Sequence, residues 1–174
     1  IAQGGIYDQI GGGFSRYSVD GEWFAPHFEK MLYDNAQLMT LYSEAYTISK
    51  DESFKTVVYD TYEWLTREMM NDGHGFYSAL DADSEGIEGK YYIWNHKELT
   101  SHIVPEYAGL FADYFETAPG GNWEHGENIL KKTDEAEGLL QEYNLSAEQF
   151  DSLLKSVKRK LLEARETRIK PGLD

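Results

Sequence analysis

The stretch PHFEKMLYDNAQLMTLYSEA, residues 26–45, decides how the rest of the chain is read. Phe28, Met31, Leu32, Asn35, Leu38, Met39, Tyr42 and Ala45 recur at helical spacing. Proline suits the first helical turn, so the pattern predicts a helix beginning near Pro26. On such a helix His27, Lys30, Asp34 and Gln37, spaced 3, 4 and 3, share one face beside the apolar stripe. A polar stripe at a helix N-terminus can line a cavity. The same spacing also describes a Lys30–Asp34 surface ion pair with a capping His27.

Upstream, Gly4 to Gly21 is glycine-rich with embedded aromatics and reads as loop; Gly11-Gly12-Gly13 lets the backbone turn tightly or approach a ligand. Downstream, a second helix starts after Asp51, with Phe54, Val57, Val58, Thr61, Leu65 and Met69 as its stripe and Asn71-Asp72-Gly73 as its stop. Gly75–Leu80 and Lys90–Trp94 are short, aromatic and glycine-bounded, and read as two strands of a hairpin joined by the acidic loop Asp81–Gly89. A weaker helix covers Tyr107–Phe115, Asn122–Leu130 is irregular, and a helix near Asp134–Tyr143 follows. A stronger helix opens on Ser146 with Gln149 three residues on, a capping box. Phe150, Leu153, Leu154, Val157, Leu161 and Ala164 line its apolar side. Helices in antiparallel pairs, interrupted by one small β-hairpin, point to a mainly α chain built as an incomplete (α/α) toroid.

With 31 acidic against 16 basic residues the formal charge is −15, a field that disfavours nucleic acid and anionic membrane surfaces as partners. The basic residues gather late, at Lys155, Lys158, Arg159, Lys160, Arg165, Arg168 and Lys170, mostly on the solvated side of a helix. There is no Cys, which excludes a disulfide framework, a thiol nucleophile and a cysteine metal site, and agrees with a cytoplasmic location. No apolar run is long enough to cross a membrane. The opening Ile1-Ala2-Gln3-Gly4-Gly5 and the closing Arg168–Asp174 loop read as the ends of a fragment of one larger domain, residues 1–174.

Chemistry is expected around Gly11–Gln37, with the acidic loop as a second wall. His27, Glu29, Asp34, Asp81 and Asp83 are the acid–base candidates, and Arg16, Tyr17, Trp23, Tyr33 and Trp94 the candidates for holding a substrate. Two carboxylates flanking a glycosidic bond suffice for hydrolysis, whereas an imidazole can take a proton next to a carbonyl, as in sugar epimerisation. Aromatic rings stack on sugars, though most rings of a folded chain simply fill its core. Asp81-Ala82-Asp83-Ser84-Glu85-Gly86 resembles the front of a calcium loop, but its twelfth place is Tyr92 rather than Glu, and a solvated acidic turn is the plainer reading. In Gly120–Asn128, His125 with Glu124 or Glu127 makes a poor ligand set. No metal and no cofactor are assigned.

Three blocks carry a resemblance: Gly4–Phe14 with Arg16–Asp20, Pro26–Leu38, and Asp81–Trp94; Gly126–Leu130 and Arg168–Pro171 add to it. Together they resemble the thioredoxin-domain-containing proteins of the YyaL and spermatogenesis-associated type. The resemblance implies a longer parent protein, with a thioredoxin-like domain before a helical toroid similar to six-hairpin glycosidases and N-acylglucosamine 2-epimerases. This chain would be the first part of that toroid. The family supplies no settled activity to carry over. A small-molecule or carbohydrate ligand, the thioredoxin-like domain of the parent chain, and a homodimer formed through apolar surface left open in the fragment are the partners this implies. Ser15 stands where relatives often have a larger residue such as His, which would alter the lining of any cavity there.

Overall fold

The computed structural model describes residues 1–174. The chain is mainly helical, with small two-stranded antiparallel ladders between the helices. In order, these are β1 (Tyr17–Ser18), β2 (Pro26–His27), β3 (Lys30–Met31), α1 (Leu32–Ser49), α2 (Glu52–Trp64), β4 (Ala79–Leu80), β5 (Asp83–Ser84), β6 (Ile87–Glu88), β7 (Trp94–Asn95), α3 (His96–Ser101), α4 (Pro105–Tyr114), β8 (Glu127–Asn128), α5 (Ala136–Glu142) and α6 (Ala147–Arg165).

The helix expected from Pro26 begins only at Leu32. Residues 26–31 are extended, and their burial alternates strictly, with Pro26, Phe28 and Lys30 inward and His27, Glu29 and Met31 partly open. Alternation of an apolar and a polar residue is the strand period, and across Pro-His-Phe-Glu it overrides the weaker helical count. His27 and Lys30 therefore do not share a helix face with Asp34 and Gln37. β2 pairs with β1, setting Tyr17 opposite His27, and β3 pairs with β4, setting Lys30 opposite Leu80.

The hairpin expected between Gly75–Leu80 and Lys90–Trp94 is also redistributed. β4 pairs with β3, β7 pairs with β8, and the acidic loop closes on itself as β5–β6 around Glu85 and Gly86, both at positive φ. The C-terminal segment adds to β4: Asp81 N–H donates to the Gly172 carbonyl at 2.8 Å and Asp174 N–H to the Ala79 carbonyl at 3.0 Å. Such two-residue ladders are too short to signal themselves by periodicity.

The second helix is found where Asp51 predicts it, with the Asp51 carboxylate accepting from the Ser53 N–H, and it ends in a π-helical turn, Leu65–Met69. The extra residue in that turn brings Leu65, Glu68 and Met69 to the interior together. The Ser146–Gln149 capping box forms as read. α3 was not foreseen in the sequence; Asn95 caps it.

Two cores result. Trp94, Leu99, Leu110, Phe111, Phe115, Phe150, Val157 and Leu161 fill the one between α3, α4 and α6. Trp64, Met69, Phe28, Leu80, Tyr91 and Tyr92 fill the other, between α2 and the ladders. No helix is long and apolar enough to cross a membrane.

Candidate functional site

Hairpin β1–β2 and the turn into α1 bring several side chains of opposite chemistry to one patch. His27 Nδ1 lies 2.7 Å from Glu88 Oε1, and His27 Nε2 lies 3.8 Å from Glu29 Oε2. The Tyr17 ring stacks on the imidazole at 4.9 Å. Arg16 Nη1 donates to Glu29 Oε2 at 2.8 Å, and its guanidinium, held by Glu29 and flanked by the Tyr33 hydroxyl, is pushed further up. Desolvation raises the Asp34 carboxyl from its ordinary value against the pull of Arg16, and the nearby Glu29 raises it further. One Asp34 oxygen, Oδ2, is shielded and has no hydrogen-bond partner.

A carboxylate can only accept a hydrogen bond. The Nδ1 of a neutral His27 therefore carries the proton toward Glu88, and Nε2 keeps its lone pair. An imidazole oriented in this way by Glu88, with Glu29 near its other nitrogen, has the parts of an acid–base site. Glu88 is the member that the sequence reading did not single out; it faces His27 because β5–β6 folds back on itself, which no local pattern announces.

The other expected residues lie elsewhere. Trp94 is fully buried in the helical core, with the Arg168 guanidinium 4.2 Å from its ring centre. Trp23, at φ 61°, sits in the β1–β2 turn, where its carbonyl accepts from Ile6 N–H. Asp81 accepts from the N–H of Ala82, and Asp83 lies opposite Glu88 in the β5–β6 ladder; both are exposed. No three His, Asp or Glu side chains stand close enough to share a metal ion.

Lys30 takes a different role from the surface pair with Asp34. It is fully buried, and its ammonium donates to Asp8 Oδ2 at 3.0 Å and to the Gly12 carbonyl at 2.9 Å. Arg165 approaches the same carboxylate from α6 with two parallel bonds of 2.8 Å each. It belongs to the interior, not to the solvated side expected for the late basic residues. Burial alone would push the Asp8 carboxyl up; Arg165 and Lys30 hold it well below the usual carboxylate range. Lys30 lies over the rings of Trp64 and Tyr92, and Arg165 over those of Tyr91 and Tyr92. The triple glycine serves this cluster: a Cβ at Gly11 would strike Arg165, one at Gly12 the Asp60 carbonyl, and one at Gly13 the Trp64 ring. Asn35, also fully buried, ties the loop to α1 by accepting from Phe14 N–H at 2.7 Å and donating to the Phe14 carbonyl at 2.9 Å.

No protein-family model matches the sequence. The whole chain aligns with spermatogenesis-associated protein 20 of Rattus norvegicus at 38% identity and of Homo sapiens at 36%, and with an uncharacterised protein of Caenorhabditis elegans at 35%. It spans about a quarter of the length of these relatives: 25%, 25% and 27%. With the whole chain aligned at this identity, it belongs, as a partial region, to the family of spermatogenesis-associated protein 20.

Proposed function

We propose that the Arg16–Tyr17–His27–Glu29–Asp34–Glu88 patch is a proton-transfer site for a carbohydrate ligand, set on one part of an (α/α) toroid. The observation that carries this reading is the 2.7 Å contact between His27 Nδ1 and Glu88, which leaves Nε2 free as a base. In the proposed step Nε2 takes the proton from the carbon beside a sugar carbonyl. The bonding pair moves into an enediolate whose oxygen faces Arg16; a water on the opposite face protonates that carbon and inverts it, and the proton held on Nε2 is given up to the hydroxide so formed. Tyr17 and Tyr33 supply ring faces for the sugar. This favours epimerase-like chemistry over hydrolysis, because the contact that carries the reading orients an imidazole as a base rather than a pair of carboxylates.

The test uses the full-length parent protein in D2O with a panel of aldoses, ketoses and N-acetylated hexosamines, following deuterium entry next to the carbonyl by NMR. Exchange is expected with at least one sugar, and His27→Gln should reduce it by about 10²–10⁴-fold. Absence of exchange across the panel, or an unaffected His27→Gln, overturns the proposal.

One observation favours a second reading, a non-catalytic ligand- or client-binding module serving a thioredoxin-like domain. The patch is open, and none of the main cavities is lined by His27, Glu29 or Asp34. Under that reading, sugars or peptides raise the melting temperature of the parent protein without any exchange.

A further inference from the structure

Lys132 is the one lysine with neither a counter-charge nor open water around it. Every other lysine either reaches a carboxylate or, like Lys50, Lys97 and Lys160, stands exposed. Lys132 is half-buried and forms no ion pair. Burial lowers its ammonium from the ordinary value and the neighbouring Lys158 lowers it further, against the pull of Asp60. Asp60 is itself committed to Lys158, at 2.6 Å. A charge drawn out of water without a partner costs free energy, and such breaks in an otherwise consistent structure gather at functional sites.

Lys132 stands on the wall of a cleft of about 430 Å³. The rest of the lining is largely apolar: Tyr42 comes from α1, Phe54 and Val57 from α2, Tyr114 from α4 and Ala136 from α5. Apolar walls around a few polar groups, at this volume, are the usual form of a small-molecule site. The wall at Ala2 and Gln3 is pinned from inside the fold. The Ala2 carbonyl accepts from Gln9 Nε2 at 3.1 Å, and the Gln3 carbonyl from the Lys132 N–H at 2.7 Å. Two more donors belong to the lining. The Tyr114 hydroxyl, pushed up to about 12 by burial, stays protonated. Thr133 Oγ1 accepts from the Glu135 N–H at 3.2 Å and keeps its own proton to give. The single carboxylate of the lining, Asp51, is turned to the Ser53 N–H at the start of α2.

We propose that this cleft binds a small monocarboxylate with an apolar body, its carboxylate on Lys132 and its chain or ring against Tyr42, Phe54 and Val57. A carboxylate supplies the one charge that Lys132 lacks and can accept from Tyr114 and Thr133 as well. A doubly charged phosphate ester would bring an excess charge against apolar walls. The net charge of −15 repels polyanions at long range, but exposed charges are screened beyond about 8 Å, so the ammonium on the wall decides for a single carboxylate. The cleft shares no residue with the His27 patch, and the proposal stands apart from the proton-transfer reading.

The test titrates octanoate, and separately the uncharged octan-1-ol, into the full-length parent protein by isothermal calorimetry, and repeats both with Lys132→Met. Octanoate should bind about tenfold or more tightly than octan-1-ol, as expected of hydrogen bonds to a charged group. Lys132→Met should abolish that preference. Because it removes an unpaired charge, it should leave the melting temperature of the ligand-free protein unchanged or raised. Ala136→Leu, which narrows the cleft without touching the charge, should weaken both probes. Equal binding of the two probes, a preference that survives Lys132→Met, or octanoate affinity unchanged by Ala136→Leu overturns the proposal. So does a lack of octanoate binding, the result if another part of the parent fills the cleft, and so does a lowered melting temperature of Lys132→Met, which would make Lys132 structural.

Discussion

Asp8 is met by charge from two directions. Lys30 and Arg165 reach its carboxylate from opposite ends of the sequence, and the N–H groups of Ile10 and Gly11 donate to it as well. Removing one partner of a buried ionic group leaves the rest uncompensated, so Asp8→Asn should lower stability by about 3–5 kcal/mol in urea denaturation. The pH dependence has a definite sign. The folded Asp8 holds its proton far less readily than the unfolded one, so the unfolded chain binds more protons once the pH falls below about 4. Stability contributed by Asp8 is therefore complete above that pH and lost as the pH drops toward the depressed folded value; melting curves of Asp8→Asn should have a flatter acid limb than the native chain. Gly13, at φ 80°, faces Trp64, and a Cβ there would come within 2.6 Å of the ring. Gly13→Ala combines backbone strain with overpacking and should cost about 2–4 kcal/mol by the same measurement.

Among the elements, α6 shows how much a sequence can declare. Ser146 and Gln149 form their reciprocal bonds at 2.9 and 3.1 Å, and Phe150, Val157 and Leu161 face the core as their spacing requires. Ser146→Ala should lower the melting point through a loss of about 1 kcal/mol, with Ser146→Asp largely restoring it. The start of α1 was misread because two periods overlap: Pro26 to Met31 contains helical spacing and strand alternation together, and pairing with β1 and β4 selects the second. The same pairing made Lys30 unreadable as a buried residue, since its partner Asp8 is 22 positions away and shares its carboxylate with Arg165, far along the chain. His27, Glu29, Asp34, Arg16, Tyr17 and Tyr33 were legible as one neighbourhood because they are close in sequence. Glu88 was not, because only tertiary folding brings it there, and Trp94 gave no local sign that its ring would be spent on the core.

At the scale of the whole molecule, the Asp8–Arg165 contact ties the glycine loop to the last helix across 157 residues, and thereby the two cores to each other. Arg165→Lys keeps the charge but loses the paired geometry. It should cost about 1–3 kcal/mol and raise amide exchange in both α6 and the glycine loop, while a change confined to α6 would show that the cores are joined by other means. A chain leaving the ribosome presents Asp8 well before Arg165. At about 5–20 residues per second, roughly 8–30 seconds separate the two. Lys30, only 22 residues behind, can hold the carboxylate during that interval, so the order of synthesis matches the order in which its partners can be met.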